Sequence, residues 1–542
     1  MNYLRDLPLF SHLQDEVLAD LYARLTLRRY RRGQVVIHEG TIGNSMFLIR
    51  SGQVEIISEG LNGRSPGFIT HMGPGEYVGE LSVLLDTPRS ATVRVTIEAE
   101  LWELRQHDLH EMFVSYPEIG LTMSRELAKR LKRTNEKPQQ DSINIIAVIG
   151  RNISRLATHL HRLTGENIML LDLGGMRPAL PDIPRQISVE QIDLQSDPNS
   201  LTRRLSQLVK QYKRILMAIP PLENQLTRKA AEQAKIIVEL GHSSTKWAKD
   251  CTNQDSYWCY SSENQAISQA ARRIARKRVG LALSSGNARS LAHIGVLRAL
   301  EEASIPIDMI IGTSGGGLFG GLYAAGKSLD EITDFAKGLT KLYSVRSLTA
   351  FNLLPRRGLV KGHRVQRVLD QQLGKMLFQQ CKIPFGTIAA DVMTGEEVLL
   401  RSGEVGIAIR ATVSSTPLFE PVHINGRWLI DGAAVNPVPI APLRNEVDII
   451  IASSVIVPIE KRKQHAFHRL PNLLNLAFNK ETIMEAGIMH NRFTDVDSLI
   501  EPDIIEFGGF DFHRADELIA RGIEAAEPMM SALKKMLEPV GG

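Results

Sequence analysis

Cysteine is scarce in this sequence: Cys251, Cys259 and Cys381 are the only three in 542 residues. With no C-x-x-C pair and no clustered histidine beside them, neither a disulfide framework nor a zinc site of ordinary spacing is expected, and a reducing cytosol suits the chain. Long apolar runs are missing too. Nowhere do ~20 consecutive apolar residues occur, so no membrane-spanning helix is expected and any membrane contact would be peripheral. The first residues, MNYLRDLPLFSHLQDEV, break their apolar positions with Arg, Asp and Gln and offer no secretory signal core. Nor is there a surplus of one charge: 64 Lys and Arg face 60 Asp and Glu, a net of +4. Affinity for nucleic acid or membrane would have to come from local basic clusters. What remains is ordinary globular material, 43% hydrophobic, 23% charged and 6% aromatic. At ~100–200 residues per domain, the length implies three or four domains.

Residues 33–105 read as short strands punctuated by glycine: GQVVIHEG, SMFLIRSGQVEIISEG, FITHMGPGEYVGE and ATVRVTIEAELWELR. Period-two alternation between close turns indicates a small antiparallel β-roll. Apolar residues at helical spacing precede it in SHLQDEVLADLYARL, and a second helical stretch runs from about Gln106 to Arg133, ending in a basic run and a seam at Lys137-Pro138. From Ile143 continuous apolar strands alternate with helices expected near 152–163, 200–213 and 223–234, which is a parallel α/β pattern. Its first strand ends in Gly150-Arg151-Asn152-Ile153-Ser154 and lacks the second glycine and the lysine of a phosphate-binding loop. Residues 141–240 therefore read as a spacer domain without a nucleotide site. Residues 241–277 read as a polar linker ending in the basic helical stretch ARRIARKR, a solvated face or an electrostatic contact for anionic lipid. A larger α/β domain follows from 278 to 542.

In the first segment, Gly79-Glu80-Leu81-Ser82 opens a short helix whose amides can face an anion, and Arg89 returns after Thr87-Pro88 with a forked guanidinium for phosphate. Glu80 is placed to accept from a ribose hydroxyl. This stretch, VGELSVLLDTPRSATV, resembles the phosphate-binding cassette of the cyclic-nucleotide-binding domains of catabolite-activator proteins and kinase regulatory subunits. The resemblance covers roughly residues 8–133. It implies contacts to the cyclic phosphate from Gly79, Leu81 and Ser82, to the ribose 2′-OH from Glu80, to an exocyclic phosphate oxygen from Arg89, and further amide contacts from Ser90 and Ala91. The ligand implied is cyclic AMP or cyclic GMP. Catabolite activators continue into a helix-turn-helix, whereas this chain enters an α/β segment, so no nucleic-acid partner is expected.

In the third segment, Gly312-Thr313-Ser314-Gly315-Gly316-Gly317 sets G-x-S-x-G between an apolar strand and the helix LFGGLYAAG. That context lifts a serine hydroxyl clear of the backbone on a sharp turn. A second turn, Ser284-Ser285-Gly286-Asn287-Ala288-Arg289-Ser290, leads into the helix LAHIGVLRALEEA, where backbone amides could hold an oxyanion. Asp431-Gly432 places a carboxylate at a strand end, able to take a proton if the fold brings it near the serine. His293 and His423 lie near these motifs in sequence and read as packing or capping residues.

Taken together, SLAHIGVLRALEE, GTSGGG, AADVMTGEEVLLRSG, IRATVSSTPLFEPV and IDGAAVNPVP resemble the patatin-like phospholipase family from Val279 to Leu537. The domain order resembles the soluble part of neuropathy target esterase and its bacterial relatives. The resemblance implies a multidomain protein: a β-roll with flanking helices at 1–137, the α/β spacer at 141–240, a linker at 241–277 and an α/β patatin-like hydrolase at 278–542. It implies Ser314 as nucleophile and Asp431 as base, without histidine, metal or catalytic cofactor, with Gly286, Asn287, Ala288 and Arg289 in the oxyanion loop and Gly312, Gly315 and Gly316 in the elbow. The substrate implied is a lysophospholipid or phospholipid acyl ester. The family writes its oxyanion loop G-G-G-x-R-G, and Ser285, Asn287 and Ser290 replace three of those glycines here. If Ser285 and Ser290 need glycine-only backbone angles, strain would displace the donors and leave a slow or catalytically silent site. The rival reading is a non-catalytic cyclic-nucleotide sensor whose third domain binds lipid or protein.

Overall fold

The computed structural model describes residues 10, 14–59, 66–85, 87–116, 119–120, 123, 145–150, 152–174, 184–193, 195–241, 245–252, 256–342, 362–416, 418–457, 480, 482–488 and 496–539. The expected seam at Lys137-Pro138 and the basic run before it lie outside these residues. The chain divides into two compact units, Met1–Ile274 and Ala275–Gly542.

The first unit opens with helix α1 (Asp15–Arg24), which buries Val17, Leu18 and Leu21. Strands β1 (Thr26–Tyr30), β2 (Val35–Ile37), β3 (Ser45–Glu59), β4 (Pro66–Met72), β5 (Tyr77–Val78) and β6 (Thr92–Arg105) form an antiparallel sheet. Its order is β1-β6-β3-β4, with β2 on β6 and β5 on β3. Alternation decides which residues face inward: Val93, Val95, Ile97, Ala99 and Leu101 of β6 are buried, each side chain two residues from the next. Helix α2 (Glu80–Leu85) interrupts the roll between β5 and β6, and α3 (Gln106–Ser115) follows it.

The second sheet is wholly parallel and contains β7 (Ile145–Gly150), β8 (Ile168–Leu173), β9 (Ile187–Ile192), β10 (Arg214–Ile219), β11 (Ile236–Leu240) and β12 (Tyr257–Tyr260), in the order β12-β11-β7-β10-β8-β9. Helices α4 (Ile153–Thr164), α5 (Pro198–Leu208) and α6 (Gln225–Gln233) link its strands. Covered strands explain the continuous apolar runs, and β8, β10 and β11 are buried at every position. Asp197 caps α5 by accepting from Asn199 N, and Asn224 with Thr227 forms a reciprocal box at the start of α6. A Cβ on Gly150 would lie 2.1 Å from the Leu240 carbonyl oxygen, so close strand approach requires this glycine.

The linker reading of 241–277 needs correction. Tyr257–Tyr260 pairs in parallel with β11, Ile237 opposite Tyr257, and helix α7 (Asn264–Ala275) buries Ile267, Ala270, Ala271 and Ile274. YWCY is too short to announce a strand by periodicity, and its pairing comes from the neighbouring edge. In the basic stretch, Arg273 lies over the Trp258 ring at 4.0 Å. Strand β9 also went unread, because an edge strand reading ISVEQI with alternate positions open to solvent carries little apolar signal.

The second unit is built on β13 (Val279–Leu283), β14 (Met309–Thr313), β15 (Phe385–Asp391), β16 (Glu397–Leu400), β17 (Val422–Ile424), β18 (Arg427–Asp431), β19 (Ile449–Ser453) and β20 (Ser498–Ile500). The order is β17-β18-β15-β14-β13-β19-β20, with β16 also on β15. Strands β13, β14, β15, β19 and β20 run parallel, and the hairpin strands β16 and β18 run against β15. Helices α8 (Ala292–Glu302) and α9 (Gly315–Ala324) follow the ends of β13 and β14, and α10 (Val405–Thr412) precedes β17. Among the described residues no helix is long and apolar enough to cross a membrane.

Candidate active site and nucleotide cassette

Strand β15 brings the serine and the aspartate together. Its residues Phe385–Ile388 pair with β14, its residues Ala389–Asp391 pair with β18, and β16 pairs along Thr387–Ala390. Because β16 overlaps both, β14 and β18 must share the opposite edge of β15, one taking over where the other stops. Thr313 faces Ile388 and Asp431 faces the next residue, Ala389, so the ends of β14 and β18 meet.

At that meeting point Ser314 Oγ donates to Asp431 Oδ2 at 2.7 Å. Ser314 holds φ 53° and ψ −122°, an uncommon pair for a residue with a Cβ, as the first turn of α9 begins. Its amide donates to Thr412 Oγ1 at 2.9 Å, and that hydroxyl donates onward to the Ile388 carbonyl. Asp431 Oδ1 accepts from Ala433 N at 3.0 Å, and Asp431 N donates to Ser414 O at 3.1 Å. The carboxylate is thus fixed at both ends with Oδ2 turned to the hydroxyl. Ser314 and Asp431 are both buried, at 5% and 3% exposure. Around the elbow, Gly316 and Gly312 admit backbone that a Cβ would strike at 2.4–2.5 Å.

The altered loop lies against Gly315, where a Cβ would come 1.9 Å from Ser290 Oγ and 3.4 Å from Asn287 O. Neither Ser285 nor Ser290 has a left-handed φ, so the expected strain at those two positions is absent. Asn287 alone takes one, at 51°, a conformation that asparagine tolerates. Gly286 is extended at φ 166°, and close packing on Val455 excludes a side chain there. The loop amides divide in two. Ala288 N donates to Gly509 O and Arg289 N to Gly286 O, each at 3.0 Å, while Ser285 N donates to Pro437 O at 2.9 Å. The amides of Gly286 and Asn287 have no acceptor among the described residues. Two adjacent N–H groups are thus open in a loop that packs on Gly315, the residue after Ser314.

His293 is fully buried between Ser453 Oγ and the Ser284 carbonyl, each 2.9 Å from a ring nitrogen, and burial pushes its pKa down to about 4. It ties β19 to the loop and makes no contact with the serine-aspartate pair. His423 is exposed and tilts against Trp428 at 4.8 Å. Among the described residues one cluster of ligand-type side chains occurs, His107, Asp108 and Glu111, and Arg24 already sits 2.6 Å from Glu111 and 3.8 Å from Asp108.

In the β-roll, the cassette closes around Arg89, itself 7% exposed. Nη1 donates to Gly79 O at 2.8 Å and Ser82 Oγ at 2.7 Å, and Nη2 donates to Ser45 O at 2.6 Å. Of the guanidinium's five donors, those three are engaged, and Nε and one on Nη2 have no acceptor among the described residues. Burial pushes the Arg89 pKa down, and Glu80, also buried, raises it in part. A Cβ on Gly43 would fall 1.8 Å from Arg89 Nε, so Gly43 makes room for the side chain. Leu81 and Ser90 are exposed and Ala91 is half-buried. Sequence reasoning missed Ser45 and Gly43, for which the glycine pair in EGTIGNS was the available signal, and missed Thr412, which a lone threonine in IRAT does not announce.

Comparison with known proteins identifies two of the domains. The description "Patatin-like phospholipase" matches residues 281–444 and "Cyclic nucleotide-binding domain" matches residues 27–116. An uncharacterized NTE family protein of Mycobacterium tuberculosis is 23% identical over 582 residues, covering 98% of this chain and 96% of that protein. A second from the same organism is 36% identical over 179 residues, 33% of this chain and 49% of the relative. Lysophospholipase NTE1 of Pyricularia oryzae is 29% identical over 290 residues, 49% of this chain and 19% of the relative. Among solved structures, the catabolite activator protein of Thermus thermophilus is 28% identical, covering 24% of this chain and 60% of its own, with a TM-score of 0.22. The chain therefore carries a cyclic nucleotide-binding domain and a patatin-like phospholipase domain, and its enzyme class is lipid ester hydrolase.

Proposed function

We propose that the protein is a cytoplasmic serine esterase that hydrolyses lysophospholipid or phospholipid acyl esters through a Ser314–Asp431 dyad, under the control of cyclic AMP or cyclic GMP. The observation that carries this reading is the 2.7 Å hydrogen bond from Ser314 Oγ to Asp431 Oδ2, with the loop of Gly286 and Asn287 packed against the adjacent Gly315. In the first half-reaction Ser314 Oγ attacks the ester carbonyl and its proton passes to Asp431. The oxyanion accepts from Gly286 N and Asn287 N. Collapse breaks the bond to the leaving alkoxide, which takes the proton from Asp431. In the second half, water gives a proton to Asp431 as it attacks the acyl carbonyl, and collapse breaks the bond to Ser314 Oγ, which takes that proton back as the fatty acid leaves. The lysophospholipase name of one relative supports the substrate class.

A lipid surface as partner is supported by the edge on which the dyad lies. Strand β15 runs three residues past Ile388, and the turn after it meets β18 through Val392 N donating to Trp428 O at 2.9 Å. Val392, Met393 and Trp428 stand 45%, 78% and 37% exposed there, an apolar rim beyond the level of Ser314. For the nucleotide, the cassette geometry around Arg89 supports binding, and a coupling of ~1–3 kcal/mol would change activity or lipid affinity ~5–150-fold.

Two measurements test the reading. A fluorophosphonate should label the wild-type chain and fail on Ser314→Ala, and lysophosphatidylcholine hydrolysis should vanish with the label. Labelling that persists in Ser314→Ala, or an unlabelled wild type without turnover, would overturn the esterase.

A further inference from the structure

The nucleophile and the oxyanion loop stand at the ends of neighbouring strands, and the pairing of β13 with β14 stops at Leu283 and Gly312, two residues short of Ser285 and Ser314. Beyond that point the segment that follows Asp431 reaches both. Thr313 Oγ1 donates to Asn436 O at 2.8 Å, and Ser285 N donates to Pro437 O at 2.9 Å. The two acceptors are consecutive carbonyls, so one peptide unit with its Cα atoms ~3.8 Å apart runs from the residue before the nucleophile to the residue before the first open amide of the loop.

That peptide unit is itself held. Asn436 N donates to Gly432 O at 2.9 Å, and Asn436 Nδ2 donates to Glu397 Oε2 on β16 at 3.1 Å. Just beyond it, Val438 and Ile440 share an apolar core with Ala282 of β13 and Ile311 of β14. Thr313, Ser285 and Asn436 are all buried, so bulk water is not at hand to replace either bond once it is broken.

The arrangement decides which loop amides stay open. Ser285 N is taken by Pro437 O, and the open donors begin at Gly286. A shift of Asn436 and Pro437 toward or away from β14 would carry Ser285 with it and move Gly286 N relative to Ser314 Oγ. The Thr313 hydroxyl opposes that shift, because it fastens the same peptide unit to the nucleophile's own neighbour in the chain. Oxyanion donors act only when they meet the position that the developing charge will occupy, so this fastening bears on the rate rather than on ground-state binding.

We infer that Thr313 is a positioning residue for ester hydrolysis: its hydroxyl, acting through the Asn436–Pro437 peptide, sets Gly286 N and Asn287 N against Ser314 Oγ. The inference rests on the esterase reading and gives Thr313 no contact with the substrate.

The test is steady-state hydrolysis of a soluble short-chain ester by the full chain, with wild type set against Thr313→Val, Thr313→Ala and Thr313→Ser. Valine keeps the branched shape and removes the donor, so kcat should fall ~30–100-fold with KM changed by less than about twofold. Alanine should give the same loss, and serine, which keeps the hydroxyl, should return kcat to within about threefold of wild type. A long-chain trifluoromethyl ketone reports on the oxyanion itself: Ser314 Oγ adds to its carbonyl carbon, the proton passes to Asp431, and the carbonyl oxygen becomes the oxyanion. Its Ki should rise by the factor by which kcat/KM falls. Thermal melts show whether each variant is folded at the assay temperature. Wild-type kcat in the valine or alanine variant, a serine variant as slow as valine, or a Ki that does not follow kcat/KM would overturn the role of Thr313 while the active wild type leaves the esterase standing. Variants that are slow only because they melt below the assay temperature would overturn it too. A wild type that neither takes the fluorophosphonate label nor turns over would overturn the esterase reading and the role of Thr313 together.

Discussion

Replacing Gly315 by alanine adds one methyl group at the contact between the nucleophile elbow and the oxyanion loop. Gly315 is not in a left-handed conformation, so alanine is allowed by its backbone and the perturbation is purely steric. The added Cβ would lie 1.9 Å from Ser290 Oγ and 2.6 Å from Ser290 Cβ. Turning the hydroxyl away relieves the first contact only. Carbon atoms rest ~3.5–4.0 Å apart, so the Ser290 backbone must retreat by about 1 Å. Ser290 holds the Asn287 carbonyl through its hydroxyl, and that retreat carries the Gly286 and Asn287 amides with it. Displacing an oxyanion donor costs ~10²–10³ in rate, or about 2.7–4 kcal/mol of transition-state stabilisation. The loss should appear in kcat for a soluble short-chain ester, with little change in melting temperature, since alanine is favoured over glycine in a helix by ~1 kcal/mol. A second substitution sharpens the test. Ser290→Gly removes both atoms that the methyl group meets, and the Gly315→Ala/Ser290→Gly chain should recover at least tenfold of the lost rate, about 1.4 kcal/mol. Wild-type turnover in Gly315→Ala, or no recovery in the double variant, would refute the steric argument.

Four further outcomes are expected. Ser314→Ala and Asp431→Asn should each lower ester turnover by ~10²–10⁴, and the double variant should fall no further than the worse single one; losses that multiply would separate the two residues. Ser285→Gly should leave the rate unchanged because its φ is not left-handed, whereas Asn287→Ala should destabilise the fold by ~1–2 kcal/mol in a denaturant titration. Burial lowers the His293 pKa from its ordinary 6.5 to about 4, so between those values the unfolded chain takes up a proton that the folded chain refuses. Its contribution, of order 3 kcal/mol, is complete above the unfolded pKa and lost as pH falls through the folded one; melting temperature should fall less steeply over that window in His293→Gln. Arg89→Ala should abolish nucleotide binding by calorimetry and the response of lipid hydrolysis together, and a surviving response would place the trigger elsewhere.

What the sequence makes legible here is whatever repeats or turns locally. Alternation in ATVRVTIEAELWELR marks β6, and the glycines of GTSGGG mark a strand that turns sharply into a helix; both readings depend on neighbours within a few residues. Strand β12 and the true extent of the parallel sheet are not local, because YWCY becomes a strand only by pairing with β11. The expected strain at Ser285 and Ser290 failed for a related reason. A family's glycine records either a backbone angle or a close approach, and the letter alone does not say which. At Asn287 it is the angle; at Ser290 it is the approach of Gly315.

The serine and aspartate are 117 residues apart, and each motif alone reads as a turn. Their meeting depends on register: β15 must exceed β14 by enough residues for β18 to take the same edge, with Asp431 opposite Ala389. A one-residue slip of β18 would turn Asp431 to the other face of the sheet, since strand side chains alternate. Several contacts oppose that slip. Asp431 N is held by Ser414 O, its carboxylate by Ala433 N, and Thr412 bridges Ser314 N to Ile388 O. Thr412 therefore ties the end of β14 to β15 at the residue where the edge changes hands, and the aspartate's position is set by backbone partners rather than by its attraction to the serine.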